Sequence, residues 1–114
     1  MENFIINRKQ INLEKNKEFA FKIPVLINPS ECVFQIEVSE NDLNEESSIV
    51  FKLRNTKSGT QNQKEQISVN LTDKITITVL ENLNLNGECL LLGCISNKNI
   101  NFALSIRKNS TRFV

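Results

Sequence analysis

Residues 32–38 read CVFQIEV, with Cys32, Phe34, Ile36 and Val38 apolar at every second position and Gln35 and Glu37 polar between them. In an extended chain successive side chains point to opposite faces, so this spacing makes one oily face and one wet one. A helix would scatter the same four residues around its circumference. Phe, Ile and Val also suit the pleated, half-buried surface of a sheet. The segment predicts a β-strand.

Working outward, the same period recurs along the chain. Phe19, Phe21, Ile23, Val25 and Ile27 alternate before it, and Ile49, Phe51 and Leu53 after it. Ile67, Val69 and Leu71 follow, then Ile75, Ile77 and Val79, then Ile100, Phe102, Leu104 and Ile106. No segment carries an apolar stripe at helical spacing. Turn signals separate the runs: Asn28-Pro29-Ser30, the polar span 41–48, the apolar-free loop 55–66, and Asn86-Gly87. Pro24 inside a strand pattern places that strand at an edge or at a bend. Many short strands in 114 residues predict one antiparallel β-sandwich of about seven to nine strands, Ig-like or jelly-roll, over residues 1–114.

Turn geometry sharpens the expectation for the C-terminal half, because directly opposed residues of an antiparallel pair share a face. A three-residue loop at Thr72-Asp73-Lys74 would set Leu71 against Ile75 and Val69 against Ile77. A type I′ turn at Asn86-Gly87 would set Val79 against Cys94. A loop at Asn97-Lys98-Asn99, with Asn99 left-handed, would set Phe102 against Cys94 and Leu104 against Leu92. One face then collects nearly every apolar residue from Ile67 to Ile106, with a bulge near Glu81, and the expectation is a meander. Cys89–Ile95 is apolar on both faces, which fits a central strand covered twice or one that shows a face to another protein.

Phe4-Ile5-Ile6, followed by the basic Arg8-Lys9, reads as a first edge strand or as an N-terminal arm, residues 1–10, that docks on a neighbour. Six acids and no base lie between Asn28 and Val50: Glu31, Glu37, Glu40, Asp42, Glu45 and Glu46. Such a run is a solvated loop or a contact surface for a basic partner. The pattern Ile11-x-Leu13, Lys15-Asn16-Lys17-Glu18, Phe19-x-Phe21-x-Ile23 resembles the opening of many sandwich modules, among them bacterial surface, phage-tail and adhesion domains, and singles out no one family.

Missing chemistry narrows the function further. His, Trp and Tyr are absent, and all seven aromatics are Phe. Without His the commonest general base is gone, and no nucleophile elbow or phosphate-binding Gly-rich loop is present, so no enzyme is expected. Cys32, Cys89 and Cys94 without His fall short of a structural zinc site, and read as small core residues. The acidic run 40–46 lacks the spacing and glycine of a calcium loop. No cofactor or metal is expected, and small-molecule ligands that need Trp or Tyr faces are disfavoured.

A net charge of +1 gives no general attraction for nucleic acid, and no apolar run approaches the roughly 20 residues that cross a bilayer. Phe19, Phe21, Phe34, Phe51 and Phe102 are expected on core faces, leaving Phe4 and Phe113 for intermolecular contacts. Three cysteines and no basic start followed by a long apolar stretch suggest a cytoplasmic protein, or one assembled on a particle or cell surface.

The expectation is therefore a structural or assembly module whose partner is another protein, including a second copy of itself. Phe4, Ile5 and Ile6 would dock on a neighbour, and the basic segment with Arg8 and Lys9 would meet the acidic Asn28–Val50 stretch, which includes Glu40, Asp42, Glu45 and Glu46. The alternative is a monomeric binder that blocks a host factor through the acidic stretch.

Overall fold

The computed structural model describes residues 4–23, 32–39, 47–55, 64–79 and 90–108. They form eight strands: β1 (Phe4–Leu13), β2 (Phe19–Ile23), β3 (Cys32–Val38), β4 (Ser48–Asn55), β5 (Lys64–Asn70), β6 (Ile75–Val79), β7 (Leu90–Ser96) and β8 (Ile100–Lys108). Two four-stranded antiparallel sheets pack together. Sheet A runs β1-β8-β3-β6 and sheet B runs β2-β7-β4-β5. The hydrogen-bonded pairs include β1 with β8, β2 with β7, β3 with β6 and β4 with β5, so the chain is nested like a long ribbon folded at its middle. Of the two arrangements expected, this is the jelly-roll order.

The sandwich is right and the meander is not. Only β4 and β5 are consecutive strands that pair; every other connection passes from one sheet to the other. Leu71 and Val69 therefore do not face Ile75 and Ile77 in one sheet, nor does Phe102 face Cys94. The residues that the meander would pair side by side lie in opposite sheets, and two buried faces brought together across a sandwich leave the same alternation as one shared face. Asn99 is not left-handed either, because 97–99 is an inter-sheet corner. Its side-chain oxygen accepts the Lys15 N–H at 2.7 Å, and the Ser96 carbonyl accepts the Asn16 N–H at 2.8 Å. Asn16, with φ 60°, holds the left-handed position at the facing corner.

Other boundaries differ in detail. Asn55 and residues 64–66 belong to strands although they are polar, because Arg54 pairs with Lys64 and Lys52 with Gln66. β2 is an edge strand, as Pro24 requires, and ends at Ile23. The turns at 28–30 and 86–87, the span 41–46, Pro24, Glu81, Cys89 and Phe113 lie outside the described residues.

Between the sheets Ile11, Leu13, Cys32, Phe34, Ile36, Ile49, Phe51, Leu53, Leu71, Leu92, Cys94, Phe102, Leu104 and Ile106 are buried. Phe51 of sheet B stands edge-on to Phe34 at 5.2 Å and to Phe102 at 6.3 Å, both from sheet A. Such T-shaped contacts place ring edges against ring faces and fix how the sheets sit. Phe19 departs from its expected core position and is 42% exposed at the rim, where it leans on half-buried Phe21 at 5.6 Å. β7 is an interior strand, which accounts for its two apolar faces.

Cys32 and Cys94 are buried. Burial, with a smaller contribution from the Glu18 carboxylate, pushes the Cys94 thiol up to about 12. The thiolate is the reactive form, so Cys94 is expected to resist alkylation at pH 8 in the folded protein. It should react only as urea unfolds the chain, which mass spectrometry of iodoacetamide-treated samples would follow. Rapid labelling of native Cys94 would contradict its placement.

Candidate interaction surface

A jelly roll leaves four strand edges: β1 and β6 in sheet A, β2 and β5 in sheet B. An open edge is a template for another chain, and natural sheets blunt it with bulges, short strands, exposed charge or an inward-pointing charge. β1 uses several of these. From Ile6 to Lys9 it advances three residues while β8 advances two, from Ile106 to Leu104, and a further extra residue lies between Phe4 and Ile6. The first bulge contains Arg8, whose φ is 53°. A left-handed arginine costs about 1 kcal/mol, and two contacts hold it there. Its N–H donates to Ser105 Oγ at 3.0 Å, and its guanidinium donates to both Glu37 oxygens at 2.9 and 2.8 Å.

Lys9 stands opposite buried Leu104, so it occupies an inward-facing position on an edge strand, and its ammonium lies 4.9 Å above the Phe21 ring. The remaining edges are guarded in simpler ways. β2 has five residues and shows Lys22 to solvent. β5 exposes Gln66, Ser68 and Asn70 on the face away from the core.

β6 is as short as β2, but among the described residues it has none of the other devices. Its sequence, ITITV, carries no charge, proline or bulge against β3. Ile75, Ile77 and Val79 were expected in the core, and they point outward instead, at 52%, 56% and 42% exposure. They share the outer face with Glu37, Gln35 and Val33, while Thr76 and Thr78 stand opposite buried Ile36 and Phe34. The Thr76 hydroxyl is buried and has no hydrogen-bond partner among the described residues. A one-residue slip would bury the three aliphatic residues and expose the threonines. The observed register does the reverse.

An orphaned buried hydroxyl costs about 1–3 kcal/mol. Thr76→Val keeps the shape and removes it, so the variant is expected to be about 1 kcal/mol more stable in urea unfolding. A loss of stability would mean that the hydroxyl is satisfied.

The residues singled out from sequence are only partly gathered. Phe4 is 40% exposed at the start of β1, while Ile5 and Ile6 pack against their own core. Arg8 does meet an acid of the 28–50 stretch, but within one chain: Glu37. Glu40, Asp42, Glu45 and Glu46 lie outside the described residues.

On sheet B a second ion cluster straddles Gly93. Arg54 donates to both oxygens of Glu18 at 3.1 and 3.0 Å, and Lys52 lies 3.5 Å away. The Arg54 hydrogen bonds hold the Glu18 carboxyl below its ordinary range. A Cβ at Gly93 would come within 3.0 Å of the Glu18 carboxyl carbon, so the glycine leaves the carboxylate room to cross the strand.

Two depressions lined by described residues have their charges already paired. One, of about 470 Å³, lies between Arg8, Gln10, Glu37 and Asn101, and the other, of about 250 Å³, lies between Leu13, Glu14, Lys17 and Phe19. Lys17 bonds Glu14 at 2.7 Å. Among the described residues no group of three or more His, Cys, Asp or Glu is placed to hold a metal, and no helix is long and apolar enough to cross a membrane.

The missed feature is β6. Its signal was present in the absence of any charge from Ile75 to Val79, and in threonines whose methyl groups make both faces of ITITV tolerable indoors. Lys9 was legible too, since it shares parity with Ile11 and Leu13. Family models, curated proteins and solved structures gave no match to this chain.

Proposed function

We propose that this jelly roll is a non-enzymatic assembly module that associates with other copies of itself through the β6 edge of sheet A. The observation that carries this reading is the inverted register of β6, with three β-branched side chains in water and a threonine hydroxyl stranded indoors. Local rules that a chain breaks at one place, while obeying them elsewhere, point to a site kept for binding. Jelly rolls serve capsids and lectins alike, so the fold leaves the choice to the surface. An unguarded edge with apolar side chains favours association with another copy over binding of a small ligand.

The reading moves the contact away from the N-terminal segment. β1 is bulged and carries an inward lysine, which suits an edge protected from partners.

Light scattering across a concentration series tests it. Wild-type protein is expected to associate as concentration rises. Ile77→Lys puts a charge at the centre of the edge and should weaken association at least about tenfold, equivalent to about 1.4 kcal/mol. Because Ile77 is exposed, the variant should keep its fold. A wild-type chain that stays monomeric at millimolar concentration sinks the proposal.

A further inference from the structure

We infer that β6 pairs with β6 of a second copy, antiparallel and centred on Ile77, to form one closed dimer with an eight-stranded sheet. The inference rests on the assembly reading above and adds the register and the symmetry.

Backbone direction comes first. The Val38 N–H donates to the Lys74 carbonyl at 2.8 Å. In an antiparallel ladder alternate residues turn their N–H and C=O to the same neighbour. Thr76 and Thr78, opposite Ile36 and Phe34, therefore bond to β3. Ile75, Ile77 and Val79 turn theirs to the open side. Among the described residues β6 has one hydrogen-bonded neighbour. Unpaired donors and acceptors in a row call for an extended strand.

The strand is self-complementary. Setting Ile77 against Ile77 of the second copy sets Ile75 against its Val79, and every open-side residue meets another. About six backbone hydrogen bonds form, with β-branched side chains opposed in each pair. A slip of two residues in either direction forfeits one pair. Charge also favours a like partner: Ile75–Val79 carries none and the whole chain carries only +1, so two copies approach without mutual repulsion.

A two-fold pairing consumes the unguarded edge of both molecules and stops. A head-to-tail pairing of β6 with β1 would propagate, and the bulges and Lys9 of β1 stand against it. Five-residue strands bury less than the roughly 1,200 Å² of stable complexes, so the dimer is expected to be reversible.

Cysteine cross-linking tests the register in the full chain with Cys89→Ser, Cys32 and Cys94 being buried. Hydrogen-bonded opposed residues have Cα atoms about 5.5 Å apart, within disulfide reach. Ile77→Cys should give a covalent dimer on mild oxidation. Ile75→Cys and Val79→Cys should each give none alone and a dimer when mixed.

Association that Ile77→Lys abolishes, but with no Ile77→Cys dimer or with Ile75→Cys dimers alone, overturns the register and leaves the assembly reading standing. Growth beyond the dimer overturns the closed symmetry. A chain that never associates overturns both.

Discussion

Phe51→Ala is expected to lower stability by about 3–5 kcal/mol, the range for truncating a buried aromatic. Phe51 is buried, and among the described residues it is the one ring that touches aromatic partners from the other sheet on two sides, Phe34 at 5.2 Å and Phe102 at 6.3 Å. Removing it loses the transfer energy of the ring and two edge-to-face contacts, and it opens a hole that β-sheets on both sides are too stiff to close. A domain of this size has about 5–15 kcal/mol in total, so the variant stands near its folding threshold. Urea unfolding should show a lower midpoint with an unchanged slope. Phe19→Ala, at the exposed rim, should cost about 1 kcal/mol or less. Equal losses at the two positions would show that the core is not centred on Phe51.

The second large effect is expected at Ile36. It lies fully buried on interior strand β3, opposite Leu104 on one side and Thr76 on the other. Ile36→Asp would bury a carboxyl between Leu104 and Thr76, and burial favours the protonated form. The folded-state pKa of the new aspartate is then raised above the unfolded value near 3.9. At pH below that value both states are protonated and only the packing loss remains. As pH rises through the window up to the folded value, the unfolded chain ionises alone, and stability falls by about 1.4 kcal/mol per pH unit.

The expected result is a chain unfolded at pH 7 by circular dichroism, with the deficit relative to wild type shrinking toward pH 4. Asn101→Asp, on an exposed outward position of β8, should change stability by about 0.5 kcal/mol or less. A well-folded Ile36→Asp at pH 7 would mean that the alternation of β3 faces the other way.

How much of this was legible beforehand differs by residue. The inner faces of β3, β4 and β8 were plain, because Phe34, Ile36, Phe51, Phe102 and Leu104 alternate with polar neighbours in strands buried on one side. Sheet membership was not. Alternation records which face of a strand is oily, and a strand in sheet A has the same oily face as one in sheet B. Short connections such as 97–99 fit a hairpin or an inter-sheet corner equally well, and only three-dimensional closure decides.

At β6 the face itself was misread. Ile75, Ile77 and Val79 are the most hydrophobic residues there, and burial by hydropathy alone puts them inside. Tertiary pairing with Phe34 and Ile36 put the threonines inside instead. Of the suspected contact residues, Arg8 and Lys9 turned out to serve the strand they sit on, through Glu37 and Phe21, which no local pattern could disclose.

The nesting of β1 with β8 has a consequence for synthesis. β8 sits between β1 and β3 and is the last of the eight to be translated, so β1 cannot join sheet A until its residues are available. A ribosome-bound chain that has made everything up to β7 therefore holds β1 and β3 with nothing between them. Folding of such a ribbon has to wait and then proceed through distant partners, which is slow and leaves sticky edges bare meanwhile. Chaperone dependence during translation, and insolubility of any version truncated before Ile100, belong to the same geometry.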